Sequence, residues 1–182
     1  SGSGDGTYEK ATKWVQDHSI TNIIMLKELE RTGKAHALNI ALLHAKGEII
    51  GISDAETTWP KNALRSAVKY LADRTVGAVT GIHEITAIKN TQVVEVEKTY
   101  RNIYRYLSIG ESKLHSTPIF EGELALYKRK LLNTFPEDIG ADDVGAALEI
   151  IDKGYRSIAV PDAIFYEPTP YSWGERLTQK VR

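Results

Sequence analysis

Asp54 and Glu56 stand one residue apart, directly after the apolar run from Ile49 to Ser53. Open α/β sheets bind ligands just beyond the carboxyl ends of their strands. Two carboxylates there can share a hard divalent cation, with substrate phosphates completing its shell. The same residues, before Thr57-Thr58-Trp59-Pro60, also make a good turn into a helix. Gly33-Lys34 opens a second helical stretch, so Lys34 lies where backbone N–H groups and the helix dipole favour an anion such as a diphosphate. Taken alone, an exposed lysine after a glycine turn is the plainer reading, and Asn39, one turn further in, reads as solvated or capping. Asp142-Asp143 precedes an amphipathic helix. One of the pair suits a cap, and either could accept a proton from a hydroxyl. Phe120-Glu121-Gly122-Glu123 precedes a short strand, where the glycine is either a turn or a place of close approach. Gln179-Lys180-Val181-Arg182 reads, by itself, as a polar helix face.

The elements that must position these residues alternate. Tyr8, Ala11 and Val15 have helical spacing, and Ile20 to Leu26 reads as a buried strand. Leu38, Ala41, Leu42 and Ala45 share one helix face, which Gly47 ends. Ile49 to Ile52 is a second strand. Pro60 opens a helix with Leu64, Ala67, Val68 and Leu71 towards the core, and Val76 to Ile82 is a third strand. Val93, Val96, Tyr100, Ile103 and Leu107 mark a long helix, and Val144, Ala147, Leu148 and Ile151 another, closed by Gly154. Leu124 to Tyr127 and Ser157 to Val160 read as short strands. The β-α-β order with continuously apolar strands implies a mostly parallel α/β sheet flanked by helices, in a single domain.

Composition narrows the function. A net charge of −1 gives no basic surplus for nucleic acid. The absence of cysteine excludes disulfides, thiolate catalysis and cysteine-based zinc sites. Five histidines are scattered without zinc-ligand spacing. No apolar run approaches the roughly 20 residues of a membrane span.

In order along the chain, these segments resemble family-2 glycosyltransferases of the GT-A fold, particularly the membrane-bound polysaccharide synthases. Gly2-Ser3-Gly4-Asp5-Gly6-Thr7 is similar to the end of the family's DDGSxDGT nucleotide turn. GKAHALNIALLHAKGEII is similar to GKxxALNxGLxxAxGEII. ISDAETTWPKNAL resembles the DxD block, FEGELALYKRKLL the acceptor-side segment, ADDVGAALEIIDKGY the TED block, and ERLTQKVR the QxxRW block up to its tryptophan.

The resemblance implies a GT-A-like, Rossmann-like sheet over residues 1–182 without the first β-α unit, and a domain truncated at both ends. It implies an inverting transfer from a nucleotide-diphosphate sugar to an acceptor hydroxyl, assisted by Mn²⁺ or Mg²⁺. Asp5, Lys34, Asp54, Gln179 and Arg182 would bind the nucleotide sugar, and Asp54 and Glu56 the metal. Asp143 would be the catalytic base. Phe120, Glu121, Gly122 and Glu123 would face a polysaccharide or lipid-linked acceptor. The protein would work at the cytoplasmic face of a membrane held by segments outside this chain, and would not bind nucleic acid. Glutamate at 56 and serine at 1, where the family usually has aspartate, also fit a non-catalytic sugar-nucleotide-binding relative. A nucleotidyltransferase is the other alternative, although the chain shows no glycine-rich basic loop for a triphosphate.

Overall fold

The structure, a computed structural model, describes residues 3–86, 91–138 and 142–180. In chain order the elements are α1 (Thr7–Asp17), α2 (Lys34–His44), β1 (Ile49–Ile52), α3 (Ala63–Val68), β2 (Val76–Ile85), α4 (Gln92–Leu114), β3 (Ala125–Lys128), α5 (Asp142–Asp152), β4 (Arg156–Glu167) and α6 (Trp173–Lys180). The sheet order is β1-β3-β2-β4. β3 runs antiparallel to both β1 and β2, while β2 and β4 are parallel. Three strands therefore share one direction, and β3 is inserted against it.

Strand alternation sends side chains to two faces. Ala78, Ala125 and Tyr127 pack on one face with Ala146, Ala147 and Ile150 of α5 and with Leu38 and Leu42 of α2. Val79, Leu124 and Leu126 pack on the other with Ala63 and Ala67 of α3 and with Phe165 of β4. Both faces are covered, as the continuously apolar strands require.

Two details differ from the sequence expectations, and a third, the face of α4, lay beyond them. Ile20 to Leu26 forms no strand: Ile23 is 44% and Ile24 61% exposed. A strand is completed by its ladder partner, and β1, the edge strand on that side, pairs only with β3 among the described residues. Leu64 is exposed, and the core face of α3 is Ala63 and Ala67. On α4 the stripe Val96, Tyr100, Ile103 and Leu107 faces outward, while Val93, Val94, Glu97, Ser108 and Ser112 are buried. The reason is the open edge of β4. Ser112 Oγ accepts the Ala159 amide at 2.8 Å, and Arg156 Nη2 donates to the Ser112 carbonyl at 2.7 Å. Small hydroxyls, rather than large apolar groups, satisfy the edge backbone.

Candidate active site

The segment after β1 is held from both sides. The Thr57 amide donates to the Asp54 carbonyl at 3.2 Å, closing a turn. Thr58 and Tyr166 exchange two backbone hydrogen bonds of 2.9 Å, tying the segment to β4. Trp59 Nε1 donates to the Glu123 carbonyl at 2.9 Å. Asp54 and Glu56 are thus presented on a fixed turn at the carboxyl end of β1.

Lys34 enters from the other side. Gly33 precedes α2 with φ 113°, a conformation that favours glycine. It leaves Lys34 as the first helical residue, its Nζ 2.8 Å from Asp54 Oδ1. Asn39, one turn on, is structural: its Oδ1 accepts the Phe135 amide at 2.7 Å and its Nδ2 donates to the Phe135 carbonyl at 2.9 Å.

Gly122 is where the parts meet. A β-carbon on it would fall 3.1 Å from Asp143 Oδ2 and 3.2 Å from Lys34 Nζ. The start of α2, the start of α5 and the turn before β3 therefore converge on one buried glycine. Asp143 divides its carboxylate: Oδ1 accepts the Val144 amide at 2.8 Å, and Oδ2 lies against Gly122. One oxygen is thus held by the backbone of its own helix, and the other lies against the turn before β3.

Beyond Gly122 lies an ionic chain that runs from α6 to the turn before β3. Arg176 Nη2 is 2.7 Å from Glu97 Oε2, Arg101 Nε is 3.2 Å from Glu97 Oε1, and Arg101 Nη1 is 3.1 Å from Glu121 Oε2. Burial pushes Glu121 up to about 7, against the pull of Arg101. Burial also raises Glu123, with the Asp54 charge adding to it. Glu167, at the end of β4, is pushed up to about 7 by burial and by Glu123. His83 stacks on Phe165 with ring centroids 5.2 Å apart, and burial and then the Arg101 charge hold it down to about 4. Sequence reasoning missed Glu97, Arg101, Arg176, Glu167 and His83. The i, i+4 spacing of Glu97 and Arg101 was the available signal, and it equally describes a solvated helix face.

The profile of glycosyl transferase family 2 matches residues 1–135, well over half of the chain. The chain belongs to this family. It is 42% identical to a mannosyltransferase, PcManGT from Pyrobaculum calidifontis, solved in complex with GDP-Man and Mn²⁺; the TM-score is 0.81, over 96% of this chain and 48% of that one. An N-acetylglucosaminyltransferase of Rhizobium sp. (strain N33) is 24% identical over 170 residues, 84% of this chain and 37% of the relative. A structure of GalNAc-T7 with UDP, GalNAc and Mn²⁺ superposes with a TM-score of 0.66 over 91% of this chain and 36% of that one; at 15% identity this likeness is of fold alone. The chain spans less than half the length of each of these relatives.

In this family-2 glycosyltransferase, Lys34, Asp54, Gly122 and Asp143 come together, with Glu121 and Glu123 flanking the glycine. Phe120 sits deeper than Glu121 and Glu123 of its segment. It is 5% exposed and packs on Tyr127 within the core, because the residue at that point of the chain turns inward. Asp5 accepts the Thr7 amide at 3.0 Å in an exposed turn at the start of α1, and this hydrogen bonding to Thr7 lowers its carboxyl below the usual range. Gln179 lies in the last turn of α6, and Arg182 is outside the described residues. Among the described residues no three His, Cys, Asp or Glu side chains form a ready metal cage. Asp54 and Glu56 nonetheless suit a hard cation that takes part of its shell from substrate phosphates and water, since such a cation needs only one or two protein carboxylates.

Proposed function

We propose that this chain is the sugar-transferring domain of an inverting enzyme that moves a sugar from a nucleotide-diphosphate donor to an acceptor hydroxyl. The observation that carries this reading is the convergence of Lys34, Asp54 and Asp143 around Gly122. A diphosphate placed at the start of α2 meets the helix N-terminus and the Lys34 ammonium. Asp143 Oδ2 accepts the proton of the acceptor hydroxyl while that oxygen forms its bond to the anomeric carbon. The bond from that carbon to the diphosphate oxygen breaks, and its electron pair leaves with the nucleoside diphosphate. Lys34 stabilises the charge that develops there, and Arg182 adds to it in the resemblance. Asp54 and Glu56 would hold Mn²⁺ or Mg²⁺, which supplies further positive charge against the departing phosphates. One displacement inverts the anomeric configuration, so no covalent sugar–enzyme intermediate is required.

The complex of the 42%-identical mannosyltransferase makes GDP-Man and Mn²⁺ the first donor and metal to test. A polysaccharide or lipid-linked acceptor, reached from the cytoplasmic face of a membrane, completes the reading; no described helix is itself long and apolar enough to cross a membrane. The test is a panel of nucleotide sugars, including GDP-Man, given to the intact enzyme with Mn²⁺, with product configuration read by NMR. Inversion is expected. Retention of configuration removes the single displacement, and no consumption of any donor removes the transferase reading.

A further inference from the structure

The outer face of α4 is apolar along almost its whole length. Val96, Tyr100, Ile103, Leu107, Gly110 and Leu114 follow one another at spacings of four, three, four, three and four residues. This alternation keeps them in one narrow stripe, the pattern of a seam between two helices. Tyr104 and Tyr106 flank it, one on each side. The exposure is large, from 41% at Tyr100 to 90% at Leu114. The opposite face packs on the domain, through Val94, Glu97, Ser108 and Ser112. Together the large side chains of the outer face leave the equivalent of about four whole ones in water, or roughly 600–1,000 Å². A specific protein interface takes about 800 Å² from each partner.

Two features of the stripe identify what covers it. The first is Gly110. A glycine inside a helix is destabilising, and this one has no steric reason among the described residues: a β-carbon on it would meet no atom within 4 Å outside its own stretch of helix. In an exposed seam, a glycine instead leaves room for a large side chain of a partner. The second feature is charge. Glu95 and Lys113 are 18 residues apart, about five whole turns. They therefore lie on the same side of the helix, at opposite ends. A second α4, laid antiparallel about a two-fold axis at residue 105, satisfies both features. It sets Tyr100 into the gap at the partner's Gly110, Ile103 against the partner's Leu107 and Val96 against the partner's Leu114. Glu95 meets the partner's Lys113, and each contact is made twice, as a two-fold axis requires. A parallel pair would set glycine on glycine and like charge on like charge, which is unfavourable. A lipid surface favours a basic flank, whereas Glu95 and Lys98, both solvent-accessible, give this helix both signs.

We propose that the outer face of α4 is a homodimer interface, in which the helix pairs antiparallel with the α4 of a second copy. The pairing covers the one helix face that the domain leaves apolar and in water. It also braces α6, because Glu97 on the inner face of α4 holds Arg176.

The experiment measures the mass of the intact enzyme by analytical ultracentrifugation as its concentration is varied. A dimer with a Kd below about 100 μM is expected, since interfaces of this size reach micromolar affinity or better. Ile103→Glu changes an exposed residue, so the fold should survive, as thermal unfolding checks. It places a carboxylate from each copy in the seam and should raise the dimer Kd more than about 100-fold. Glu95→Lys should raise it about tenfold, and adding Lys113→Glu should restore it. Direction is read by cross-linking. The chain has no cysteine, so Tyr100→Cys and Gly110→Cys each add a single thiol to it. Mixed and oxidised with copper phenanthroline, the two proteins should link to each other far more than either links to itself, with the unsubstituted enzyme as control. A dimer that withstands Ile103→Glu, self-linked products in excess of the mixed one, or a monomer throughout the concentration range overturns the proposal. If the monomer binds phosphatidylglycerol vesicles and its α4 amides become protected there, the face belongs to lipid and the proposal fails. None of these readouts needs sugar transfer, so the outcome is independent of the transferase reading.

Discussion

Lys34 Nζ and Asp54 Oδ1 are 2.8 Å apart, an ion pair between the first residue of a helix and the turn after a strand. Both side chains are partly exposed, at 44% and 34%. The pair is therefore a weak contributor to stability and is available for exchange: a cation can take Asp54 while a phosphate takes Lys34. Asp54→Ala should weaken binding of GDP in the presence of Mn²⁺ by more than about tenfold, or 1.4 kcal/mol, and should abolish the difference that a chelator makes. Lys34→Ala should weaken nucleotide binding while leaving the metal dependence in place. Calorimetry with and without chelator separates these outcomes. Equal affinity in both conditions for the native protein removes the metal from the site.

Asp143→Asn keeps the shape of the side chain and an acceptor for the Val144 amide, so the start of α5 should remain in place. It removes the base. Transfer should fall by about 10²–10⁴ with donor affinity nearly unchanged. Full activity in the intact enzyme carrying this change rules Asp143 out as the base.

Gly122 tests whether the convergence matters. Its backbone lies outside the left-handed region, so alanine meets no conformational barrier. The added methyl would instead press on Asp143 Oδ2 and Lys34 Nζ, forcing each to give by a few tenths of an ångström. A displacement of about 1 Å can cost 10²-fold in rate. Gly122→Ala should therefore lower kcat by about tenfold while shifting Tm little. A native kcat in this variant would show that the spacing of the base and the lysine is not critical.

Some of this was legible in the sequence for clear reasons. Ile49 to Ile52 and Val76 to Ile82 are strands whose apolar continuity reflects burial on two faces. The positions of Asp54, Glu56, Lys34 and Asp143 at element ends were legible too, since each adjoins a boundary of an apolar pattern. The direction of β3 was not legible, because tertiary pairing decides whether an inserted strand runs parallel or antiparallel. The packing of Phe120 was not legible either, because an aromatic beside Glu-Gly-Glu can sit in a cleft or turn inward, as this one does onto Tyr127. The packed face of α4 was not legible, because apolar spacing marked the helix without saying which side is covered. Here Ser112 accepts an amide from the edge of β4, and Glu97 and Arg101 pair with each other and with Arg176 and Glu121, so polar residues take the inner face.

Glu167 makes stability depend on pH in a definite direction. Burial first, then the charge of Glu123, raises its carboxyl from 4.5 to about 7 in the folded protein. Between those values the folded protein keeps a proton that the unfolded chain has released, so stability from this group falls as pH rises through the window. The penalty is absent below 4.5 and complete above 7. His83 acts in the opposite sense. Its folded value of about 4, against 6.5, lets stability rise with pH between the two. Comparing the native protein with Glu167→Gln cancels the histidine contribution. With chelator present, the Tm of the variant should gain on the native protein as pH rises from about 4.5 to about 8. Parallel Tm curves would mean that Glu167 ionises normally.

Glu97 should determine how α6 is seated. The helix forms locally: Ser172 Oγ accepts the Glu175 amide at 3.2 Å, and Glu175 Oε2 accepts the Tyr171 amide at 2.8 Å. Its apolar side chains do not anchor it, since Trp173 is 52% and Leu177 63% exposed. Arg176 does, through the 2.7 Å contact with Glu97. Removing one partner of a buried ionic group leaves the others uncompensated, at a cost of about 3 kcal/mol. In Glu97→Ala both Arg101 and Arg176 lose their shared carboxylate. The expected consequence is local: α6 stays helical but comes away from α4, and its amides exchange with solvent more than about tenfold faster, while β2 amides keep their protection. Glu97→Gln should lie between the native protein and the alanine variant. Hydrogen exchange resolved along the chain provides the readout. Unchanged protection of α6 in Glu97→Ala would show that the helix is held by contacts other than this ionic chain.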